Sequence, residues 1–347
     1  MGEHNRVKRQ ILRHLAKNPA TFWELINFQD SDIVTFLDTI KNLIEEGEIS
    51  YKKPYFYLAK DMDVVPYHHP GCLMCSPFNK DPYWKEVLDR FLEITQNRPL
   101  PTSDFDQGFI KPEDTVKRTA FIYERGDLED TEIFILGDDD LISLSMAITG
   151  LPKKIVVVEI DERINKFIKE KASQIGYSEL YVYNYNVIDS LPEELRGKFD
   201  VFVTDPVETK KGLKLFVSRC ISALKGPGAA GYMGFTHREA SLRKWFDFQK
   251  FLIDSGFVIT DILRDFTTYP EEDNQWEDFY RTYRIMKEFD LNLPTVDWYK
   301  SCLVRFEVVE GPKILNIDAP KNIEELYFDD ESWATPLPSY LEKNKEG

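Results

Sequence analysis

Between Thr131 and Val309 the chain alternates short runs of β-branched and aromatic residues with longer amphipathic stretches, and this rhythm constrains the fold most. Strands are expected at TEIFIL, KIVVVE, LYVYNY, FDVFVT, GAAGYMGF, FVITDIL and CLVRFEVV, with helices over Leu141–Thr149, Asp161–Ile175, Lys210–Leu224 and Arg238–Asp254. Strands separated by helices return the chain in the same direction, which builds a mostly parallel sheet covered on both faces. The expected class is α/β, a Rossmann-like seven-stranded doubly wound fold. Its ligands would lie in the crevice outside the carboxyl ends of the first strands.

A chain of 347 residues is longer than one core usually fills. Residues 1–60 read as three helices (RVKRQILRHLA, TFWELINF, SDIVTFLDTIKNLIEEGEI) and a hairpin (ISYKKPYFYLA), the order of a winged-helix-like domain. Ser31 or Asp32 is the expected N-cap of the third helix. That helix carries Asp32, Asp38, Glu45 and Glu46 against Lys41, so phosphate would repel it and a structural or dimerising role is favoured over DNA reading. Residues 61–110 form a connecting region rich in Pro and Asp, residues 111–310 hold the strand and helix alternation, and residues 311–347 form an acidic, Pro-bearing tail expected to be flexible, as a mobile segment or lid.

The net charge of −16 (44 basic against 60 acidic residues) disfavours a nucleic-acid partner and favours a cationic one. No window holds the roughly 18 continuous apolar residues of a membrane span, and no leader is evident at the N-terminus, so a cytoplasmic location is expected. Four cysteines are too few for a disulfide scaffold. Cys72 and Cys75, with His68 and His69 close by, have the spacing of thiolate ligands; this pair reads either as half of a zinc or iron site or as two reduced thiols. Cys220 and Cys302 are expected in the core.

Acidic or amide residues recur where the first four strands should end: Asp138, Asp139 and Asp140 after Gly137, then Glu159 with Asp161, then Asn186, then Asp205. In a doubly wound sheet those ends converge on one crevice. Glu159 has the position of an acid that accepts hydrogen bonds from ribose hydroxyls, and Asn186 that of an amide facing an adenine edge. Asp161 is read either as a further ribose contact or as the cap of its helix.

The loop FILGDDDLISL chooses among nucleosides. A dinucleotide needs small residues so that backbone N–H groups reach its pyrophosphate, and three carboxylates would repel that anion. S-adenosylmethionine would bring its own carboxylate against the aspartates. Its decarboxylated form carries positive charge alone, so the same loop attracts it and penalises the carboxylated relative. TDPVET departs from the (D/N)PP(Y/F) sequence of amino-methylating enzymes, because Val207 and Glu208 replace the second proline and the stacking aromatic. A methyltransferase is the first alternative, and a polyamine-sensing DNA-binding regulator the second.

LGDDDLISLSMAITGLPKKIVVVEIDERI resembles the N(4)-bis(aminopropyl)spermidine synthases, the branched-chain polyamine synthases of thermophiles, in which GDDD replaces the GGGDG loop of ordinary spermidine synthases. FDQGF, KPEDTVKRTAFIYERGDL, TDPVET, GFTHREASLRKW and WYKSCLVRFE extend the likeness over nearly the whole chain, with departures at Asn186 and Val207. The resemblance implies an S-adenosylmethionine-dependent transferase fold with a winged-helix-like N-terminal domain. It also implies aminopropyl transfer from decarboxylated S-adenosylmethionine to the N4 amine of spermidine, no cofactor for the chemistry and a polyamine partner; a homodimer built through the N-terminal domain is expected. Asp140 matches the aspartate that holds the donor's ammonium, which leaves Asp138 or Asp139 for the acceptor amine. Asp205 matches the acid that contacts the amine in linear aminopropyltransferases. Gln107 is a candidate for the nucleoside, and Asp106, Glu208, His237 and Glu239 for the acceptor; His237 and Glu239 in THREA read equally as the start of a helix. Trp276, Tyr280, Tyr283, Trp298 and Tyr299 could hold ammonium groups on their faces or pack between helix and sheet.

Overall fold

The computed structural model describes residues 2–29, 31–60, 62, 64, 82–271 and 277–342. Cys72, Cys75, His68, His69 and Trp276 lie outside them, and with them the thiolate pair.

The N-terminal part contains α1 (Gly2–Leu15), β1 (Ala20–Thr21), α2 (Phe22–Phe28), α3 (Ile33–Glu45), β2 (Ile49–Lys52) and β3 (Tyr55–Leu58), the three strands forming an antiparallel sheet in the order β1-β3-β2. Asp32 caps α3, accepting from the Thr35 N–H at 3.1 Å, and Thr21 and Glu24 form a reciprocal capping box on α2. The apolar faces of these helices do not close on themselves alone. Phe22, Trp23, Phe36 and Phe56 share one core with Phe279, Tyr280, Tyr283, Ile285 and Trp298 from late in the sequence. Arg238 adds polar ties, donating to the Gln29 and Asn27 carbonyls at 2.9 and 3.1 Å.

Then follow α4 (Pro82–Ile94), α5 (Pro112–Glu124), β4 (Glu132–Leu136), α6 (Ile142–Thr149), β5 (Lys154–Glu159), α7 (Glu162–Ile175), β6 (Leu180–Asn184), β7 (Val201–Thr204), α8 (Lys210–Ala223), β8 (Ala230–Phe235), α9 (Leu242–Asp254), β9 (Phe257–Thr268), α10 (Glu277–Tyr280), β10 (Lys300–Val308), α11 (Ile323–Tyr327) and α12 (Ser339–Glu342). The large sheet has the order β6-β5-β4-β7-β8-β10-β9, parallel from β6 through β8 and antiparallel for β10 and β9. Each face carries its own core, one of Phe134, Val156, Phe202 and α8 and the other of Ile133, Val157, Val201, α5 and α6. The chain reverses its order of strands between β4 and β7, so the crevice lies above Leu136 and Thr204.

Three expectations change. Helix α4 falls inside the expected connecting region, and Trp84, Val87 and Phe91 seat it in the core beside α5 and α6. Helix α9 starts at Leu242 rather than Arg238, because Ser241 caps it by accepting from Lys244 N–H at 3.2 Å. The tail is packed down: Leu326 and Tyr327 join the core beneath α8, and Asp329 and Glu331 accept hydrogen bonds from Lys244, Lys210 and Ser241.

Candidate active site

Above the switch point lies a cleft lined by the strand-end loops, the residues before β10 and the docked tail. Seven carboxylates face it: Asp106, Asp139, Glu159, Asp205, Glu208, Glu239 and Glu271. Among the described residues no lysine or arginine lines it. Apolar surface comes from Leu136, Val158, Ile160, Val187 and Phe216 on the β5 side, and aromatic rings from Tyr269, Tyr280, Tyr283, Trp298 and Tyr299 on the β10 side.

The three aspartates of the first loop diverge. Gly137, at φ +74°, makes a turn that a side chain would strain, and Leu141 takes the left-handed conformation just before α6. Between these bends Asp138 points back under the loop, 3.4 Å from the Ser143 N–H, and burial pushes its carboxyl up to about 8. Asp140 points to the opposite side, accepting from the Ile110 N–H at 2.8 Å and pairing with Arg118 at 3.3 Å. Asp139 alone of the three lines the cleft. Its carboxylate accepts from the Gly108 N–H at 3.1 Å, its backbone carbonyl accepts from Arg98, and burial, with Asp205 beside it, raises its pKa.

Asp205 is fixed from two sides, by the Arg118 guanidinium at 2.6 Å and the Gly234 N–H at 2.8 Å. A Cβ at position 234 would lie 2.1 Å from the Asp205 carboxylate, so glycine is required there. Burial alone would lower the pKa of Arg118, and the charges of Asp205 and Asp140 outweigh it, so the guanidinium stays protonated. Both cationic groups nearest the loop are thus spent behind it.

Glu159 accepts from the Asp138 and Asp161 N–H groups at 2.9 and 2.8 Å, and burial raises it to about 7. Asp161 caps α7, accepting from the Arg163 N–H at 2.9 Å, and receives the Gln107 amide at 2.9 Å. It does not line the cleft itself, and the Gln107 amide links it to the residues that do. Asn186 lines the cleft while its side-chain oxygen accepts from the Ile188 N–H at 3.0 Å.

On the far side, burial pushes Glu208 up to about 8 and raises Asp106 well above the ordinary carboxylate range. Glu239 accepts from the Trp333 and Ala334 N–H groups at 2.5 and 2.6 Å and from the Tyr299 hydroxyl at 3.1 Å, so it ties the tail to the site. The buried Lys244 ammonium donates to the Glu208 and Glu239 carbonyls at 2.9 and 2.8 Å and pairs with Asp329 at 3.0 Å. His237 was expected in the acceptor channel and is not on its wall. Thr236 bonds both the Lys300 carbonyl and the Arg238 N–H, and this turn sends the imidazole away, 3.8 Å from Asp265.

Sequence reasoning missed Arg98, Arg118, Gly234, Lys244, Tyr269 and Glu271. Gly234 carried a signal, a glycine inside a strand, which marks close approach by another group. The buried cations carried none, since burial of an arginine is invisible in one sequence.

The family model described as "Branched-chain polyamine synthase A C-terminal domain" matches residues 86–334. The N(4)-bis(aminopropyl)spermidine synthases of Thermococcus kodakarensis and Methanocaldococcus jannaschii are each 37% identical over 327 residues, 90% of this chain and 90% and 91% of theirs. Among solved structures, the branched-chain polyamine synthase of Thermus thermophilus in complex with N4-aminopropylspermidine and 5′-methylthioadenosine superposes with a TM-score of 0.81 at 31% identity, covering 94% of this chain and 92% of that one. Its C9 mutein with the same two ligands gives 0.85 at 33%, covering 95% and 93%.

Proposed function

The chain belongs to the branched-chain polyamine synthase family, and from that premise we propose that it transfers aminopropyl groups from decarboxylated S-adenosylmethionine to the N4 amine of spermidine. Two successive transfers give N4-bis(aminopropyl)spermidine, with 5′-methylthioadenosine released each time. The observation that carries this reading is a nucleoside-type crevice lined, among the described residues, by seven carboxylates and no cationic side chain. Such a wall favours ligands that are cationic along their length.

In each transfer the N4 lone pair forms a bond to the propyl carbon next to sulfur, the carbon–sulfur bond breaks, and its electron pair neutralises the sulfonium. In the first transfer the secondary amine becomes tertiary and a proton must leave. In the second the tertiary amine becomes a quaternary ammonium, which has no proton to lose. In both, N4 must be unprotonated before attack, although a free alkyl ammonium has a pKa near 10.4. Two features favour that state. Carboxylates such as Asp106, Glu208 and Glu239 hold the acceptor's terminal ammonium groups, whose charges oppose a third on N4. Asp139, raised by burial, accepts the N4 proton more readily than an ordinary aspartate would.

Asp205 orients the reacting amine, fixed by Arg118 and Gly234. Asp140 and Asp138 act through the loop, one by holding Arg118 and Ile110 and the other by shaping the turn into α6. Gly137, Glu159 and Asn186 take the nucleoside, with Glu159 toward the ribose, while Gln107 and Asp161 order the loop above it. A donor that kept its carboxylate would set that group against Asp139 and Asp205. Incubation with either donor and spermidine, followed by mass spectrometry, tests the reading: aminopropyl adducts from the decarboxylated donor are expected, and methylated product without them would overturn it.

A further inference from the structure

Glu271 has no part in the assignments above, and its surroundings are unlike those of the other carboxylates. It lines the cleft three residues beyond β9, on the side of β9 and β10 rather than that of β4 and β7 where Asp139 and Asp205 stand. Its backbone N–H is fixed by Asp297 at 2.9 Å. The Tyr280 hydroxyl donates to its carboxylate, and Trp298 Nε1 in turn donates to that hydroxyl at 2.6 Å. Among the described residues no lysine, arginine or histidine forms an ion pair with it. Burial raises it to about 7, and the groups that act on it are Tyr280, Asp297 and Trp298 rather than the loop aspartates. An ionised carboxylate walled by aromatic rings and lacking a counter-charge is stabilised by a ligand cation, which the rings also attract.

This corner packs against the N-terminal part. Trp23 of α2 packs against Trp298 with ring centroids 4.8 Å apart and against Tyr280 at 5.6 Å, and its own Nε1 donates to the Asn292 carbonyl at 2.7 Å. Helix α2 thus braces one wall of the cleft.

We propose that Glu271, oriented by Tyr280 and Trp298 and walled by Tyr283, is the subsite that takes the terminal primary ammonium of one arm of the polyamine acceptor, and that acceptor length and charge are discriminated there. The proposal rests on the aminopropyl-transfer reading, and its test separates the two. Spermidine is compared with two analogues, each having one or the other terminal amine replaced by a methyl group, on the wild type and on Glu271→Gln, with methylthioadenosine release followed to give KM and kcat.

A lost charge-assisted contact raises KM by roughly 10- to 100-fold. The expected result is that E271Q raises KM for spermidine by that factor with kcat within about threefold, and that one analogue, the one lacking the amine seated at Glu271, binds wild type and variant equally. Calorimetric binding of spermidine in the presence of methylthioadenosine, which needs no turnover, should show the same loss. Tyr280→Phe, which removes the orienting hydroxyl but keeps the charge, should fall between. Equal loss on spermidine and both analogues, or no loss on any, overturns the subsite while leaving aminopropyl transfer standing. A wild type that aminopropylates no acceptor sinks both.

Discussion

The three aspartates of the GDDD run should part company when each is changed to asparagine, and the structure sets the size of each effect. Asp139 accepts one backbone N–H, from Gly108, and the amide oxygen of asparagine can accept it too, so stability should change by no more than about 1 kcal/mol. What is lost is the proton acceptor, a contribution of roughly 10²- to 10⁴-fold in rate. Asp140 is the reverse case. Its carboxylate shares the buried Arg118 with Asp205, and removing a partner from a buried charge costs about 3–5 kcal/mol, an upper bound here because Asp205 remains. Asp138 sits near 8 and is largely protonated at neutral pH, so its asparagine variant is close to isoelectronic and should retain kcat/KM within about threefold. Methylthioadenosine release under saturating donor gives kcat and KM for each variant, and thermal unfolding gives stability. The reasoning fails if D139N keeps a tenth or more of wild-type kcat while D138N, normally folded, loses more than a hundredfold.

Gly234→Ala should displace Asp205, because the new methyl would stand 2.1 Å from its carboxylate; about 1–3 kcal/mol of overpacking and a loss of roughly 10² in kcat are expected from unfolding and steady-state kinetics. Asp138 and Glu159 have folded pKa values near 8 and 7 against ordinary values of 3.8 and 4.5, so between those limits the folded state holds protons that the unfolded state has released. Their contribution to stability therefore falls as pH rises from about 4 to 8, by at most about 1.4 kcal/mol per unit for each group, and the decline in melting temperature over that window should be shallower in D138N than in wild type. Lys244→Met leaves the Glu208 and Glu239 carbonyls and Asp329 without their shared donor; it should loosen the tail, seen as faster proteolytic cleavage after residue 311 and a raised KM for the acceptor, whereas unchanged cleavage would show that the tail docks without it.

The alternation of strand and helix was legible because a parallel sheet buried on both faces demands continuous apolar runs, and KIVVVE and FDVFVT can be little else. The carboxylates at the strand ends followed from topology alone. Whether each one meets the ligand did not, since neighbouring side chains in a turn diverge by the backbone angles of Gly137 and Leu141, which belong to packing rather than composition. His237 shows the same limit: THREA lies at the end of β8, and a hydrogen-bonded turn keeps its imidazole off the cleft wall.

The sequence by itself determined an α/β sheet with carboxylates gathered at its strand ends, because periodicity fixes secondary structure and the doubly wound topology brings those ends together. Only the tertiary structure decided that Asp139 lines the cleft, that Arg118 and Lys244 stand behind the carboxylates, that the tail is docked over the cleft, and that α2 braces its aromatic wall. Those contacts join residues remote in the chain, Arg118 to Asp205 across 87 positions and Trp23 to Trp298 across 275, and a single sequence carries no term that couples them.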